Sequence, residues 1–176
     1  MKATGIIRRI DELGRIVIPK EMRKSLRIKE GENLEIFVDN DENIVLRKYS
    51  AIKKLTDLAQ DLTDSIYSFV KQNVIITDND NILAVTGPLK KEYLNKPISE
   101  QIENKISRRE EMIEKHNKKI YIIDDDGIDA TYAVSPIIIN GDTVGLVMIL
   151  SNKDIISDDD FKLVQIASKF LTTHLE

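Results

Sequence analysis

Residues 11–19 place a turn, a strand and the start of a helix within one short segment of the chain. Gly14 permits a tight turn that bulkier residues resist, and the β-branched run at residues 16–18 predicts a strand. Pro19 ends strand pairing and suits the first turn of a helix. We therefore predict a helix over about residues 20–26, directly after a turn and a short strand.

The rest of the first 50 residues predicts further short strands. Residues 5–10 predict one strand, and the alternating residues 34–38 and 44–46 predict a hairpin closed by the polar turn at residues 39–43. So small a unit, with no Cys to form a disulfide or bind a metal, buries too little apolar surface to be stable alone. We expect a dimer whose strands interleave and whose two-fold axis suits DNA.

Positive charge is concentrated at the start of the chain. Residues 1–29 hold nine Lys or Arg against three Asp or Glu, whereas the whole chain has a net charge of −4. The charge by itself is also typical of a solvated surface that binds nothing. The basic residues, however, lie on predicted turns and on one exposed helix face, and this arrangement favours a nucleic acid partner. The candidate DNA-binding residues are Lys2, Arg8, Arg9, Arg15, Lys20, Arg23 and Lys24.

Residues 1–26, with Gly14-Arg15 and Pro19, resemble the DNA-binding domain of the AbrB-type transition-state regulators of spore-forming bacteria. The similarity continues through residues 34–38 and 46–49. It implies a swapped-hairpin β-barrel built by two chains, which binds double-stranded DNA with loose sequence preference. By position Arg8, Arg15 and Arg23 match the family's DNA-binding arginines. Lys24 stands where Arg is frequent, which implies a simple phosphate contact there.

The chain is long enough for a second domain, since 126 of its 176 residues follow the first. We expect domains at residues 1–50 and 56–176, joined by a linker at residues 51–55 that runs into a helix. Longer AbrB-type regulators carry a GAF-like domain, a fold that elsewhere holds cyclic nucleotides or other small molecules, and residues 93–100 resemble it. The resemblance implies activation and repression of sporulation genes. We expect no cofactor, and an unidentified small molecule is a candidate ligand of the GAF-like domain.

A seam of apolar residues opens the second domain, with the 3-4 spacing of a heptad repeat. Such a seam is typical of core packing or of an interface between subunits. A final helix, capped by Ser157, carries a second apolar face. The candidate oligomerisation residues are Ile52, Leu55, Ala59, Leu62, Ile66, Phe69, Val164, Ala167 and Leu171. Pairing through both domains would build a dimer of dimers, a homotetramer, or a single elongated dimer.

The remaining pattern predicts an α+β domain with an antiparallel sheet. Asn140-Gly141 is a strong hairpin signal between two of its strands. The predicted elements are strands at residues 74–77, 82–85, 120–123, 130–139 and 143–150, and a helix over about residues 99–115.

Enzyme and metal functions find little support in the sequence. The chain has no Cys, its two His residues (His116 and His174, both expected on helices) are far apart, and neither of its acidic turns continues into a calcium loop. No run is apolar enough for a membrane span, so we expect a cytoplasmic, nucleoid-associated protein. Two alternatives remain: an antitoxin that binds DNA, and a small-molecule sensor whose ligand controls DNA binding.

Overall fold

The computed structural model describes residues 6–50, 52 and 56–175. The chain divides into two compact units, Met1–Tyr49 and Ser50–Glu176. In chain order the elements are α1 (Lys20–Ser25), β1 (Leu34–Val38), β2 (Ile44–Lys48), α2 (Thr56–Val70), β3 (Asn73–Asp78), β4 (Ile82–Thr86), α3 (Lys90–Tyr93), α4 (Glu100–Ser107), β5 (Met112–Ile123), β6 (Asp126–Ile139), β7 (Asp142–Ser151) and α5 (Asp158–Leu175).

The first unit consists of α1 and the antiparallel hairpin of β1 and β2, paired from Leu34↔Lys48 to Val38↔Ile44. The strands predicted at residues 5–10 and 15–18 do not form in the single chain: residues 6–10 and 15–18 are irregular, and Gly5 lies outside the described residues. A strand requires a neighbouring backbone to take its hydrogen bonds. Among residues 6–50, the backbone bonds of these segments are those of the turn at residues 11–15.

The second unit is built on a five-stranded antiparallel sheet in the order β4-β3-β7-β6-β5. The predicted hairpin between β6 and β7 is confirmed, with Ile139 paired to Asp142. Its two turn residues, Asn140 and Gly141, both have positive φ angles, of 49° and 86°. This conformation matches the right-handed twist of the two strands.

Helices cover both faces of this sheet, so the second unit has two hydrophobic cores. Val74 and Ile76 of β3 point into the core under α2 and α5. Ile75, between them, points into the core under α3 and α4. This alternation is the period-two pattern of a strand buried on both faces. The sheet and its helices therefore form the α+β domain that the sequence predicts.

The prediction of a helix over residues 99–115 is wrong beyond Ser107, where α4 ends. The backbone leaves the helix at Arg109, whose φ is +54°, and the N–H groups of Arg109 and Glu110 donate to the carbonyls of Ile106 and Lys105. These two bonds close the helix as a Schellman motif without a glycine. β5 then begins at Met112 as an edge strand, so His116 lies on a strand and not on a helix.

The apolar seam lies mainly inside one chain. Ile52, Ala59, Ile66, Val164, Ala167 and Leu171 are all buried in the core under α2 and α5. Because these six side chains are buried within one chain, they cannot contact a second copy. The prediction that they form an interface is therefore corrected to core packing. Leu62 is only partly buried against this core, Phe69 is 83% exposed, and Leu55 lies outside the described residues.

The predicted cap of the last helix is confirmed. Ser157 Oγ accepts the N–H of Asp160 at 3.1 Å, and Asp160 Oδ2 accepts the N–H of Ser157 at 2.8 Å. This reciprocal pair satisfies two backbone donors at the start of α5, where acidic residues also interact favourably with the helix dipole.

Candidate nucleic-acid interface

One carboxylate holds the turn that precedes the predicted DNA-binding segment. Asp11 Oδ1 accepts the N–H groups of Leu13 at 3.0 Å and Arg15 at 2.8 Å. The backbone closes the same turn, since Asp11 N–H donates to the Arg15 carbonyl and Gly14 N–H donates to the Asp11 carbonyl. Gly14 has a φ of +75°, which favours glycine. The turn is therefore fixed by residues 11–15 alone.

The same carboxylate also orients the Arg15 side chain. Arg15 Nε donates to Asp11 Oδ2 at 2.7 Å, and the Arg15 side chain is 72% exposed. Within the described part of the chain, its Nη atoms have no partner. A guanidinium held by Nε keeps its two terminal groups available for a planar contact with a phosphate or a base edge.

These hydrogen bonds lower the pKa of Asp11 below its usual value of 3.8. The largest cause is the bond from the Arg15 backbone N–H, followed by the bond from the Arg15 side chain. Asp11 is therefore ionised at neutral pH, and the turn and the orientation of Arg15 depend on one charged acceptor.

α1 presents a basic face next to this turn in sequence. Lys20, Arg23 and Lys24 are exposed, and no residue of α1 is buried. Their spacing of three and four residues places these side chains on one side of the helix. The helix ends where Arg27 N–H donates to the Lys24 carbonyl and Ile28 N–H donates to the Arg23 carbonyl. Three cations on one exposed helix face suit a phosphate backbone.

The described candidate residues all lie at the surface. Arg8 and Arg9 are exposed in the irregular segment before the turn, and Lys2 lies outside the described residues. Arg27 and Lys29, which the candidate set omitted, are also exposed directly after α1. The high basic content of residues 1–29 was the signal that could have added them. The contacts of all these residues with DNA remain predictions.

Arg47 differs from the candidate arginines because it lies on a strand of the hairpin. Its Cζ atom lies 5.0 Å from the centroid of the Phe37 ring, a cation–π distance. Its neighbour Lys48 pairs with Glu32 at 3.0 Å. Arg47 is an arginine of the same unit outside the predicted basic face, and therefore a suitable control.

The two long helices of the second unit carry exposed apolar side chains, which we together call the helical patch: Phe69 of α2 and Ile166 and Phe170 of α5. The rings of Phe170 and His174 stack with centroids 4.1 Å apart. Sequence reasoning missed Ile166 and Phe170, although they lie four residues apart and off the stripe of Val164 and Leu171. That spacing was the available signal for a second apolar face.

The face of the sheet under α3 and α4 is filled by the protein's own side chains. Tyr93, Ile98, Ile102, Ile120 and Met148 are all at least 98% buried there. Burial raises the pKa of Tyr93 to about 12, with smaller contributions from the charges of Asp126 and Glu92. Its phenol is therefore neutral at physiological pH.

The described residues contain neither a metal-binding cluster nor a membrane-spanning helix. No cluster of three or more His, Cys, Asp or Glu residues there could bind a metal ion. In residues 6–50, 52 and 56–175, no helix is sufficiently long and apolar to cross a membrane.

Known structures resemble the second unit in fold. A type II free methionine-R-sulfoxide reductase from Thermoplasma acidophilum superposes with a TM-score of 0.54 at 12% identity, covering 70% of this chain and 94% of that one. A GAF domain/HD domain protein from Geobacter sulfurreducens gives 0.50 at 14% identity, covering 70% and 95%. At such low identity the similarity concerns the fold alone, which is GAF-like.

Two family models cover the chain between them. The model for the stage V sporulation protein T C-terminal region, a transcription factor, matches residues 54–176. The model for the bacterial antitoxin MazE, an antidote-toxin recognition protein, matches residues 7–54. The first match takes in the whole GAF-like sheet and both of its helical layers.

Full-length and partial relatives agree with these matches. The transition state regulatory protein AbrB of Bacillus subtilis is 61% identical over 49 residues, 28% of this chain and 50% of AbrB, which confirms the resemblance seen in the sequence. Stage V sporulation protein T of Bacillus subtilis is 45% identical over 179 residues, which is 100% of this chain and 99% of that protein. The chain therefore belongs to the stage V sporulation protein T family of sporulation transcription factors.

Proposed function

We propose that the first unit binds double-stranded DNA through Arg15 and the basic face of α1. The observation that carries the proposal is the Asp11 carboxylate, which fixes both the turn and Nε of Arg15, while the Nη atoms have no partner among the described residues. Lys20, Arg23 and Lys24 add three exposed cations for phosphate. Because phosphate contacts carry little sequence information, this set of residues fits loose sequence preference.

The DNA-binding form is a dimer in this proposal. Pro19 is the one buried residue among residues 6–49, and Ile7 is 89% exposed. Other large apolar side chains of this unit are also exposed: Ile10, Leu13, Val17, Ile36, Val38 and Ile44. A second chain whose strands pair with residues 6–10 and 15–18 would cover such side chains and take the free backbone hydrogen bonds. It would also repeat the basic face about a two-fold axis.

The second unit joins two such dimers in this proposal. The helical patch is apolar, lies on two neighbouring helices of one layer, and is a surface that a second copy of itself would cover. With pairing through the first unit, this contact gives a dimer of dimers, a homotetramer. If both contacts join the same two chains, the product is an elongated dimer.

Membership of a transcription-factor family supports a regulatory and not an enzymatic role. We propose that the protein activates some sporulation genes and represses others, that it acts in the cytoplasm on the nucleoid, and that it needs no cofactor. The second unit then acts as a sensor or as an assembly domain. The antitoxin alternative is less well supported, because the segment after residue 54 is a packed domain and not a toxin-wrapping tail.

Titration of DNA with arginine variants of the full chain tests the proposal. Arg15→Ala and Arg23→Ala should each weaken binding strongly, and each lost phosphate contact should lower the slope of log affinity against log salt by roughly one unit. Arg47→Ala is the matched control and should have a small effect, because Arg47 packs on Phe37. Equal losses from all three variants would mean that only total charge matters, and would contradict the proposed face.

A further inference from the structure

The core under α3 and α4 contains a single cationic side chain in the part of the chain that the structure describes. Lys105 is only 7% exposed, beside Ile102 and Ile106 of the same helix. Its Nζ donates to Glu110 Oε2 at 2.6 Å, lies 3.7 Å from Met112 Sδ, and sits 5.3 Å from the centroid of the Tyr132 ring. A buried ammonium group is costly without a charged partner, so Glu110 is essential to Lys105.

The ammonium group is poorly satisfied for a buried cation. It has three N–H donors, and among the described residues its hydrogen-bond partners are one carboxylate oxygen and one thioether sulfur, which is a weak acceptor. The Tyr132 ring adds a cation–π contact. The surroundings of Lys105 thus consist of an aromatic face, a polarisable sulfur, aliphatic side chains and one carboxylate.

That carboxylate can leave without unfolding the helix. Glu110 follows the end of α4, and its side chain is 27% exposed. Its position in the chain is held by its backbone N–H, which donates to the Lys105 carbonyl at 2.9 Å, independently of the carboxylate. Lys105, by contrast, is fixed within α4. Of the two side chains, Glu110 is the one that can move to solvent, provided that another carboxylate takes its place beside Lys105.

We propose that Lys105 is a receptor for the carboxylate of a small ligand, and that Glu110 occupies this place when no ligand is bound. Because Cβ of Glu110 stays with the held backbone, the part of the side chain that leaves is its Cγ atom and its carboxylate, which together have the size of an acetate ion. The vacated volume therefore fits a short-chain monocarboxylate of about this size, next to Met112 and Tyr132. This site deepens the proposed regulatory role of the second unit, on which it rests.

The segment that carries Glu110 is linked to the helical patch. The next residue, Glu111, accepts a hydrogen bond from Gln165 Nε2 of α5, and Gln165 precedes Ile166 of the patch. Arg109 donates to the Gly141 carbonyl at the β6–β7 turn. Residues 109–111 therefore connect the Lys105 site to the β6–β7 turn and to α5, whose Ile166 belongs to the surface that we propose for assembly.

Chemical rescue of the full-length protein tests the site. Glu110→Ala removes the internal carboxylate and leaves the volume of Cγ and the carboxylate free, so this variant should be less stable and sensitive to acetate. At an acetate concentration of ten times its Kd, the melting temperature of the variant should rise by about 4 °C. Acetamide, which has the same shape without the charge, should have no effect. The double variant with Lys105→Met should not respond to acetate.

Two results would overturn the site: no rise with acetate beyond that with acetamide, or an equal rise in the double variant. If Glu110→Ala does not fold, NMR of ¹³C-carboxyl acetate with the unchanged protein decides the question. Line broadening that is lost in Lys105→Met supports the site, and no broadening overturns it. The outcome is independent of the DNA titrations with Arg15 and Arg23 variants, so failure here leaves the DNA-binding proposal intact and vice versa.

Discussion

Asp11 and Asp39 hold two separate turns of the first unit with the same set of hydrogen bonds. Each Oδ1 accepts backbone N–H groups two and four residues later, from Leu13 and Arg15 for Asp11 and from Asp41 and Asn43 for Asp39. Each backbone N–H also donates to the carbonyl four residues later.

The side chains at the ends of the two turns complete the correspondence. Arg15 Nε donates to Asp11 Oδ2, and Asn43 Nδ2 donates to Asp39 Oδ2 at 3.1 Å. The Asp39 turn joins β1 to β2, which are paired strands. The Asp11 turn has the same hydrogen bonds, but its flanking segments pair with no strand in the described part of the chain. The described part of the first unit thus contains one complete hairpin and one hairpin turn. In the dimer that we propose, the segments on either side of that turn pair with a second chain.

Replacement of Arg15 by Lys should separate charge from orientation. Lys retains the positive charge but has no Nε hydrogen for Asp11 and no planar fork for phosphate. We expect Arg15→Lys to bind DNA more weakly than the unchanged protein and more tightly than Arg15→Ala, with a nearly unchanged salt slope. Fluorescence anisotropy at several salt concentrations measures both quantities. Equal affinities of Arg15→Lys and the unchanged protein would show that Asp11 does not position Arg15 for DNA.

The stability of an isolated fragment of residues 1–50 should fall at acid pH. The pKa values of Asp11 and Asp39 are lowered in the folded state, chiefly by the backbone N–H groups of Arg15 and Asn43. Their contribution is therefore present above the unfolded pKa, near 3.8, and is lost as the pH falls through the lower folded pKa. Melting temperatures between pH 6 and pH 2.5 measure the loss. In Asp11→Asn this dependence should be weaker, and an identical profile would argue against the role of Asp11.

The same fragment should be folded only as a dimer. One buried residue in the described part of this unit cannot supply a core, and the exposed apolar side chains require a partner. Its melting temperature should therefore rise with protein concentration, and sedimentation should give the mass of two chains. A monomeric mass with a melting temperature independent of concentration would contradict the interleaved dimer.

A charge in the helical patch should disrupt assembly through the second unit. Phe170→Asp places a carboxylate where a second copy would bury an aromatic ring. Ile155→Asp, the control, alters a more exposed apolar residue outside the patch, at 69% against 38% for Phe170. Sedimentation should show smaller assemblies for Phe170→Asp only. Affinity for long DNA should fall by roughly a hundredfold, with little change on a duplex that holds one dimer. Unchanged mass and equal affinity ratios on both duplexes would exclude this patch as the interface.

The contact between β3 and β7 should not tolerate a side chain at Gly145. A Cβ atom there would lie 2.1 Å from the Thr77 carbonyl oxygen, so Gly145→Ala should destabilise the second unit by about 3 kcal/mol or more. Gly141→Ala is the control: nothing lies within 4 Å, and its φ of +86° should cost only about 1 kcal/mol. Urea unfolding measures both, and equal effects would contradict the steric argument.

The sequence alone determined the local structures that short-range chemistry fixes. The Gly14 turn, the start of α1 after Pro19, the Asn140-Gly141 hairpin and the Ser157 cap each depend on backbone preferences and on hydrogen bonds within a few residues. The family resemblance of the first 50 residues was also readable, because it is carried by contiguous residues. These features require no knowledge of distant parts of the chain.

Tertiary structure decided which surfaces are buried, and it decided where α4 ends and β5 begins. The 3-4 spacing from Ile52 to Phe69 is the same for a core and for an interface, and only packing against α5 and the sheet assigned most of it to the core. Residues 112–114 form a strand because they pair with Val134, Ala133 and Tyr132 of β6. The pairing of Lys105 with Glu110 likewise depends on the position where α4 ends, and the sequence has no glycine there to indicate it. Burial and hydrogen-bond partners are properties of the folded chain, so the sequence alone could not predict this pair.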